Sequence, residues 1–251
     1  MSSEIRIIPV RGVGDVSSGD DLAGLLLAAL AAGDTPPQDG DVLVVTQKVV
    51  SKAEGRLVDP RDVEPSHMAH MVAAEGAKDA RHYEVVLRES RRIIRMARGV
   101  LICETHHGFI CANAGVDESN VAGGKMLTLL PVDPDASAAR IREAVRERAG
   151  ADVAVVISDT FGRAWREGQV NVAIGVAGIA PLADYAGQPD AYGYTMRVTN
   201  IAVADELASA AELVMGKVDQ VPAAIVRGYP YHRAEGSARQ LVRPAERDLF
   251  R

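Results

Sequence analysis

The chain has 251 residues, with 28 Lys+Arg against 34 Asp+Glu for a formal net charge of −6, and 47% of its residues are hydrophobic. A chain of that length buries a sizeable core without disulfides or zinc, and the composition excludes collagenous, coiled-coil and disordered classes. The acidic balance argues against a dedicated nucleic-acid binder, and no run approaches the roughly 18 apolar residues of a membrane span.

Ile5–Val10 alternates loosely and ends in Pro9-Val10-Arg11-Gly12, which predicts a strand and a turn. Asp20 and Asp21 then open an Ala/Leu run, Leu22–Ala32, as acids do at the positive end of a helix, and Pro36-Pro37 stops it. Val42–Val45 reads as a short buried strand entered through Asp39-Gly40. Residues 61–98 look helical and polar, with Pro65 near a start and Gly76 at a break. Val100–Cys103 and Phe109–Ala112 flank Thr105-His106-His107-Gly108 in a hairpin pattern. Asp135–Arg148 predicts a helix capped by Asp135, with Ile141 and Val145 on one face.

Ala154–Ile157 is a buried-type strand, Thr199–Met215 an Ala-rich helix and Ala223–Val226 a further strand. Residues 181–196 read as a long loop. Helices and strands mix without strict βαβ alternation, which favours an α+β fold over a doubly wound sheet. The N-terminus lacks a signal-peptide layout, and the two cysteines, Cys103 and Cys111, fit buried packing in a reducing compartment, so the cytoplasm is expected.

The common phosphate, metal and nucleophile fingerprints are absent: no G-x-x-x-x-G-K-[ST], H-E-x-x-H, C-x-x-C or G-x-S-x-G occurs. Gly12-Val13-Gly14 follows a strand but lacks the third Rossmann glycine, and His67 and His70 form a pair without a third ligand. Three segments stand out. Thr46–Arg56 follows a buried strand with Lys48 and Lys52 among hydroxyl and amide groups, which suits either a phosphate or a solvated basic loop. Cys111–Asn120 leaves a strand through an Asn-x-Gly turn and gathers Asp117, Ser119 and Asn120, which suits either Mg²⁺ or Mn²⁺ or an Asx-rich turn. Val155–Arg163 ends an apolar strand in Asp159-Thr160, which suits a cation at the sheet's carboxyl edge, a helix N-cap, or both. Arg163 and Arg166 add phosphate- or carboxylate-gripping groups. Together these amount to equipment for metal-assisted phosphoryl transfer. A phosphotransferase or hydrolase with some other acceptor, or a non-catalytic nucleotide-binding protein, would carry similar groups.

The order and spacing of further pieces give a resemblance. Asp39–Val45, Val50–Arg56, Asn113–Val121, Leu130–Asp135, Ser158–Arg163, Met215-Gly216 and Val226-Arg227-Gly228 together resemble the coenzyme F420:L-glutamate ligases over nearly the whole chain. That resemblance implies an α+β fold of mixed sheets with packed helices, the F420 γ-glutamyl ligase-like fold, in an intertwined homodimer. It implies one ligase domain over residues 1–251, without the flavin-binding nitroreductase-like domain that follows it in some bacterial relatives. It also implies addition of γ-linked L-glutamate to the F420 precursor, with GTP as phosphoryl donor, two Mg²⁺ or Mn²⁺ ions per active site and K⁺ as a further ion.

By the same likeness Asp117 and Asp159 would ligate one metal and Thr160 the other. Asn120 and Lys52 would contact GTP, with Gln47 and Lys48 near its phosphates and Val13, Gly14, Asp15 and Val16 lining the nucleotide site. Two departures are visible. Some relatives carry Ser-Thr where Gln47-Lys48 stand, and archaeal relatives carry an acid where this chain has Lys217, leaving Asp219 or Gln220 as substitutes. No histidine has a motif-based claim to act as a base.

Overall fold

The computed structural model describes residues 4–121 and 124–248, and within those not the side chains of 119–121 and 124. In chain order, β1 (Arg6–Val10) leads to α1 (Leu22–Ala32), β2 (Val42–Thr46) and α2 (Gln47–Ala53). A second module follows: β3 (Leu57–Val58), α3 (His67–Glu75), α4 (Ala80–Arg88), β4 (Ser90–Ala97), β5 (Val100–Thr105), β6 (Ile110–Ala112), β7 (Asp117–Val121) and β8 (Gly124–Thr128). The chain returns through α5 (Pro134–Ala149) to β9 (Ala154–Arg163) and β10 (Arg166–Ala177). It closes with β11 (Ala183–Asp184), β12 (Asn200–Ile201), α6 (Val203–Met215) and β13 (Ala223–Arg227). No helix among the described residues is long and apolar enough to cross a membrane.

The central sheet has the order β1-β13-β2-β9-β10, and only β2 and β9 run parallel. Its inner strands are apolar on both faces because both faces are covered. Leu43, Val45, Val155, Ile157 and Ile225 pack beneath α1 and α5, through Leu26, Leu30, Ile141 and Val145. Their neighbours Val42, Val44, Ala154, Val156, Ala224 and Val226 pack beneath α6, through Leu207, Ala208, Ala211 and Met215. The period of two in a strand thus sorts one continuous run into two cores. A parallel pair needs a long crossover. Here the crossover is the entire second module plus α5, so the module hangs from the sheet at the carboxyl ends of β2 and β9. It is built on the three-stranded sheets β3-β8-β7 and β4-β5-β6, with its own core of Tyr83, Val86, Leu101, Cys103 and Leu127.

Several expectations are corrected. Residues 90–97 form β4, not helix: charged residues on its exposed positions imitate a polar helical surface while β5 supplies the pairing. Asp133, not Asp135, caps α5, accepting from the Ala136 N–H at 3.0 Å. Asp135 instead accepts from the Val176 and Ala238 N–H groups, tying α5 to β10 and the C-terminal segment. The long loop at 181–196 contains β11, which pairs with β12, so helix α6 begins at Val203 rather than Thr199. Cys103 and Cys111 face each other across β5 and β6 as buried free thiols, and burial pushes the Cys111 thiol up to about 12.

Two predictions follow from packing. A Cβ on Gly175, at a register shift of β10, would overlap the Pro134 carbonyl at the start of α5. Gly175→Ala should therefore destabilise by about 2 kcal/mol in urea denaturation, as overpacking does; an unchanged midpoint contradicts this contact. His82 on α4 is 3% exposed, and burial first, then the Lys78 charge, holds its imidazole down to about 4. The folded state keeps it neutral, while the unfolded chain protonates it near its ordinary value of 6.5. Stability is therefore lost as pH falls from 6.5 towards 4, by at most about 3 kcal/mol. His82→Gln should remove that part of the slope, and identical pH profiles for variant and wild type would contradict it.

Candidate active site

The parallel register sets Thr46 opposite Ser158, so the chain leaving β2 and the middle of β9 meet at one edge of the sheet. Beyond Thr46 the segment is helix α2 rather than a basic loop. Lys48 and Lys52, one turn apart, lie with Val49 on the wall of a cavity of about 610 Å³. Gln47 also borders the cavity, but it is buried and its amide donates to Ser51 Oγ at 2.6 Å and to the Leu129 carbonyl at 3.0 Å. Its donors therefore serve the fold.

Strand β9 does not end at Asp159-Thr160. It runs on to Arg163 and turns back as β10, so neither residue caps a helix. Asp159 lines the cavity and its Oδ1 accepts from the Thr160 N–H at 2.8 Å. Burial pushes its carboxyl up to about 6; the neighbouring Asp117 charge adds to the rise, and the Thr160 N–H, Lys217 and Lys48 oppose it. Ser158 Oγ, on the same wall, is buried without a hydrogen-bond partner. Thr160 stands opposite Asn171 of β10, and its hydroxyl donates to Asn171 Oδ1 at 2.7 Å. Asn171 Nδ2 donates to Glu212 of α6 at 2.7 Å. Lys217, just beyond α6, donates to Thr160 Oγ1 at 2.7 Å.

The second module supplies the opposite wall. Asn113, Ala114 and Gly115 all take positive φ in a tight turn, which delivers Asp117 at the start of β7. Asp117 lies in a strand rather than a turn, and it pairs with Lys48 at 2.6 Å. Gly14, Asp15 and Val16 line the cavity from the loop after β1. Val13 does not: it packs into the core, because its side chain points beneath α1.

The Asn120 side chain lies outside the described residues. Arg163 and Arg166 sit at the exposed tip of the β9–β10 hairpin, where Arg163 donates to the Glu167 carbonyl, and neither borders the cavity. Gln220 borders it and Asp219 does not. Lys78, Asn171 and Glu212 are not singled out by their local sequence; they reach the site only through tertiary packing.

Asp117 and Asp159 come from different modules yet face one cavity, and the Asp117 charge raises the cost of ionising Asp159. A desolvated carboxylate beside a second carboxylate is a donor set for a hard divalent cation, which takes oxygen ligands. The residues present fit such an ion there. The Thr160 hydroxyl is a different matter, since its proton is given to Asn171 and it accepts from Lys217. No cluster of three or more His, Cys, Asp or Glu side chains suited to a metal occurs among the described residues, and His67 and His70 are both exposed on α3. His106 and His107 contact the Arg88 and Pro131 carbonyls, away from the cavity.

A cavity at a sheet edge, walled by three aspartates and four lysines, offers oxygen donors for a cation and positive charges for anions. Comparison with known proteins gives the class: residues 12–228 match the F420-0:Gamma-glutamyl ligase family. The chain is 48% identical over 250 residues to the coenzyme F420:L-glutamate ligase of Methanothermobacter thermautotrophicus, covering 98% of this chain and 99% of that one. It is 46% identical over 252 residues to the protein of the same name from Methanopyrus kandleri, covering 98% of each. It is 42% identical over 217 residues to that from Methanocaldococcus jannaschii, covering 86% of each. The chain therefore belongs to the F420-0:γ-glutamyl ligase family.

Proposed function

We propose that this chain is a ligase that joins L-glutamate to the coenzyme F420 precursor F420-0 through γ-linkages, with GTP as phosphoryl donor, releasing GDP and phosphate. The observation that carries the mechanism is the convergence of Asp117 and Asp159 on a cavity that Lys48, Lys52, Lys78 and Lys217 also line. A carboxylate and an amine do not condense unaided in water, so the carboxylate must first be activated. In this reading the terminal carboxylate of the precursor attacks the γ-phosphorus of GTP, forming an acyl phosphate and expelling GDP. The glutamate amine then attacks the acyl carbon, inorganic phosphate leaves, and the amine nitrogen gives up a proton.

Every reactant is an anion. The lysines of α2 and Lys78 would hold the triphosphate against the precursor carboxylate despite their mutual repulsion, as positioned charges do for phosphoryl transfer. Asp117 and Asp159 would hold one Mg²⁺ or Mn²⁺, which when bound supplies charge neutralisation at the phosphate oxygens. Lys48, paired with Asp117, would keep that carboxylate aimed at the cavity. Gly14, Asp15 and Val16 would border the nucleotide.

In this reading the ligase works as a homodimer in the cytoplasm. Light scattering should give twice the chain mass.

The direct test mixes protein, F420-0, GTP, Mn²⁺ and L-glutamate and follows the product by mass spectrometry. Mass additions of single glutamate residues, with GDP released only when the precursor is present, are expected. GTP turnover without precursor would instead indicate a phosphotransferase or hydrolase with another acceptor. Asp117→Asn and Asp159→Asn should each lower GDP release by roughly 100-fold, and full activity in either would remove it from the cation site.

A further inference from the structure

We propose that the Lys217 ammonium is a built-in cation of this active site and takes the place of a second divalent ion, so that the enzyme works with one metal ion per chain. The proposal rests on the ligase reading above for its purpose, but its geometry stands apart from it. The Lys217 Nζ lies 2.7 Å from Thr160 Oγ1, 2.7 Å from Glu212 Oε1 and 3.4 Å from Asn171 Oδ1. These three oxygens come from β9, α6 and β10, so separate elements converge on one ammonium. An ammonium has three N–H donors and no acceptor, and here each donor faces an oxygen.

The oxygens are themselves fixed. Asn171 is 2% exposed, and its amide grips the other oxygen of Glu212 at 2.7 Å. Thr160 gives its proton to Asn171 Oδ1, which leaves its lone pairs for Lys217. Gly216 takes φ +60 directly after α6, and the turn it makes carries Lys217 back over the end of the sheet.

This arrangement suits an ammonium and not a second Mg²⁺. A magnesium ion needs oxygen ligands at about 2.1 Å in near-octahedral order. One brought to the Thr160 hydroxyl would meet the positive charge of Lys217 at contact distance. Of the carboxylates nearby, Glu212 is already paired with Lys217, and Asp159 is the one the ligase reading gives to the first ion. Two short contacts hold the ammonium in place, and the third, to Asn171, is long. That long contact is the one a phosphate oxygen entering the cavity can take over. Lys217 then supplies one positive charge to the triphosphate at a point where its geometry is set before the nucleotide arrives.

The test counts ions. The full-length protein is titrated with Mn²⁺, alone and with one equivalent of a non-hydrolysable GTP analogue, and free Mn²⁺ is followed by electron paramagnetic resonance. Wild type should bind one Mn²⁺ per chain in the cavity, and Lys217→Glu should bind two. Steady-state kinetics should show kcat reduced roughly 100-fold in Lys217→Met and partly restored in Lys217→Arg, which keeps the charge. Two ions in the wild type, or none, overturns the proposal, as does a Lys217→Glu variant that still binds one. The ion count is read without any turnover. Absence of glutamate addition would therefore sink the ligase reading alone, and two ions in a chain that ligates glutamate would sink this one alone.

Discussion

Thr46 lies opposite Ser158 because β2 and β9 run parallel, and the site takes its shape from that register. A shift of one residue would turn Leu43 and Val45 out of the core beneath α1 and α5 and into the one beneath α6. The two buried faces therefore fix the register firmly. With it they fix which residues of α2 stand beside which residues of β9. The parallel pairing also demands a long crossover, and the chain uses that length to build the module that brings Asp117 to the opposite wall. Folding and function thus share one constraint.

The electrostatics follow from where the charges are gathered. The chain as a whole carries a formal charge of −6, yet the cavity wall holds Lys48, Lys52, Lys78 and Lys217. Against them stand Asp15, Asp117, which Lys48 engages, and Asp159, whose burial makes its charge costly. In the proposed mechanism a cation between Asp117 and Asp159 would relieve that cost, and the lysines would serve the phosphates. Local arrangement rather than net charge decides what such a surface attracts.

Much of the central sheet was legible in the sequence, because strands buried on both faces are continuous apolar runs; Val42–Val45 and Ala154–Ile157 are of that kind. Leu22–Ala32 was legible because Asp20 and Asp21 open it and Pro36-Pro37 bars its extension; in the structure Asp21 caps it and Gly33 closes it. Ser90–Ala97 was not, since its two register shifts and exposed arginines hide the alternation. The polar extension of β9 through Asp159, Thr160 and Arg163 was read as a strand's end for the same reason: its pairing lies in β10, which no local pattern announced. The site showed a similar split. Lys48, Lys52, Asp117 and Asp159 were visible as unusual residues at strand ends, but their convergence was implied only by family likeness. Val13 looked like part of the glycine turn and proved to be core. Lys78, Asn171 and Glu212 carry no local signature, because their roles come from contacts across the fold.

The central claim is that carboxylates from two modules clamp one cation at the edge of the sheet. Anomalous diffraction at the manganese edge, from crystals grown with Mn²⁺, measures this most directly. The account predicts a peak bridging the carboxylates of Asp117 and Asp159. Manganese bound elsewhere, with both carboxylates uncoordinated, would contradict it.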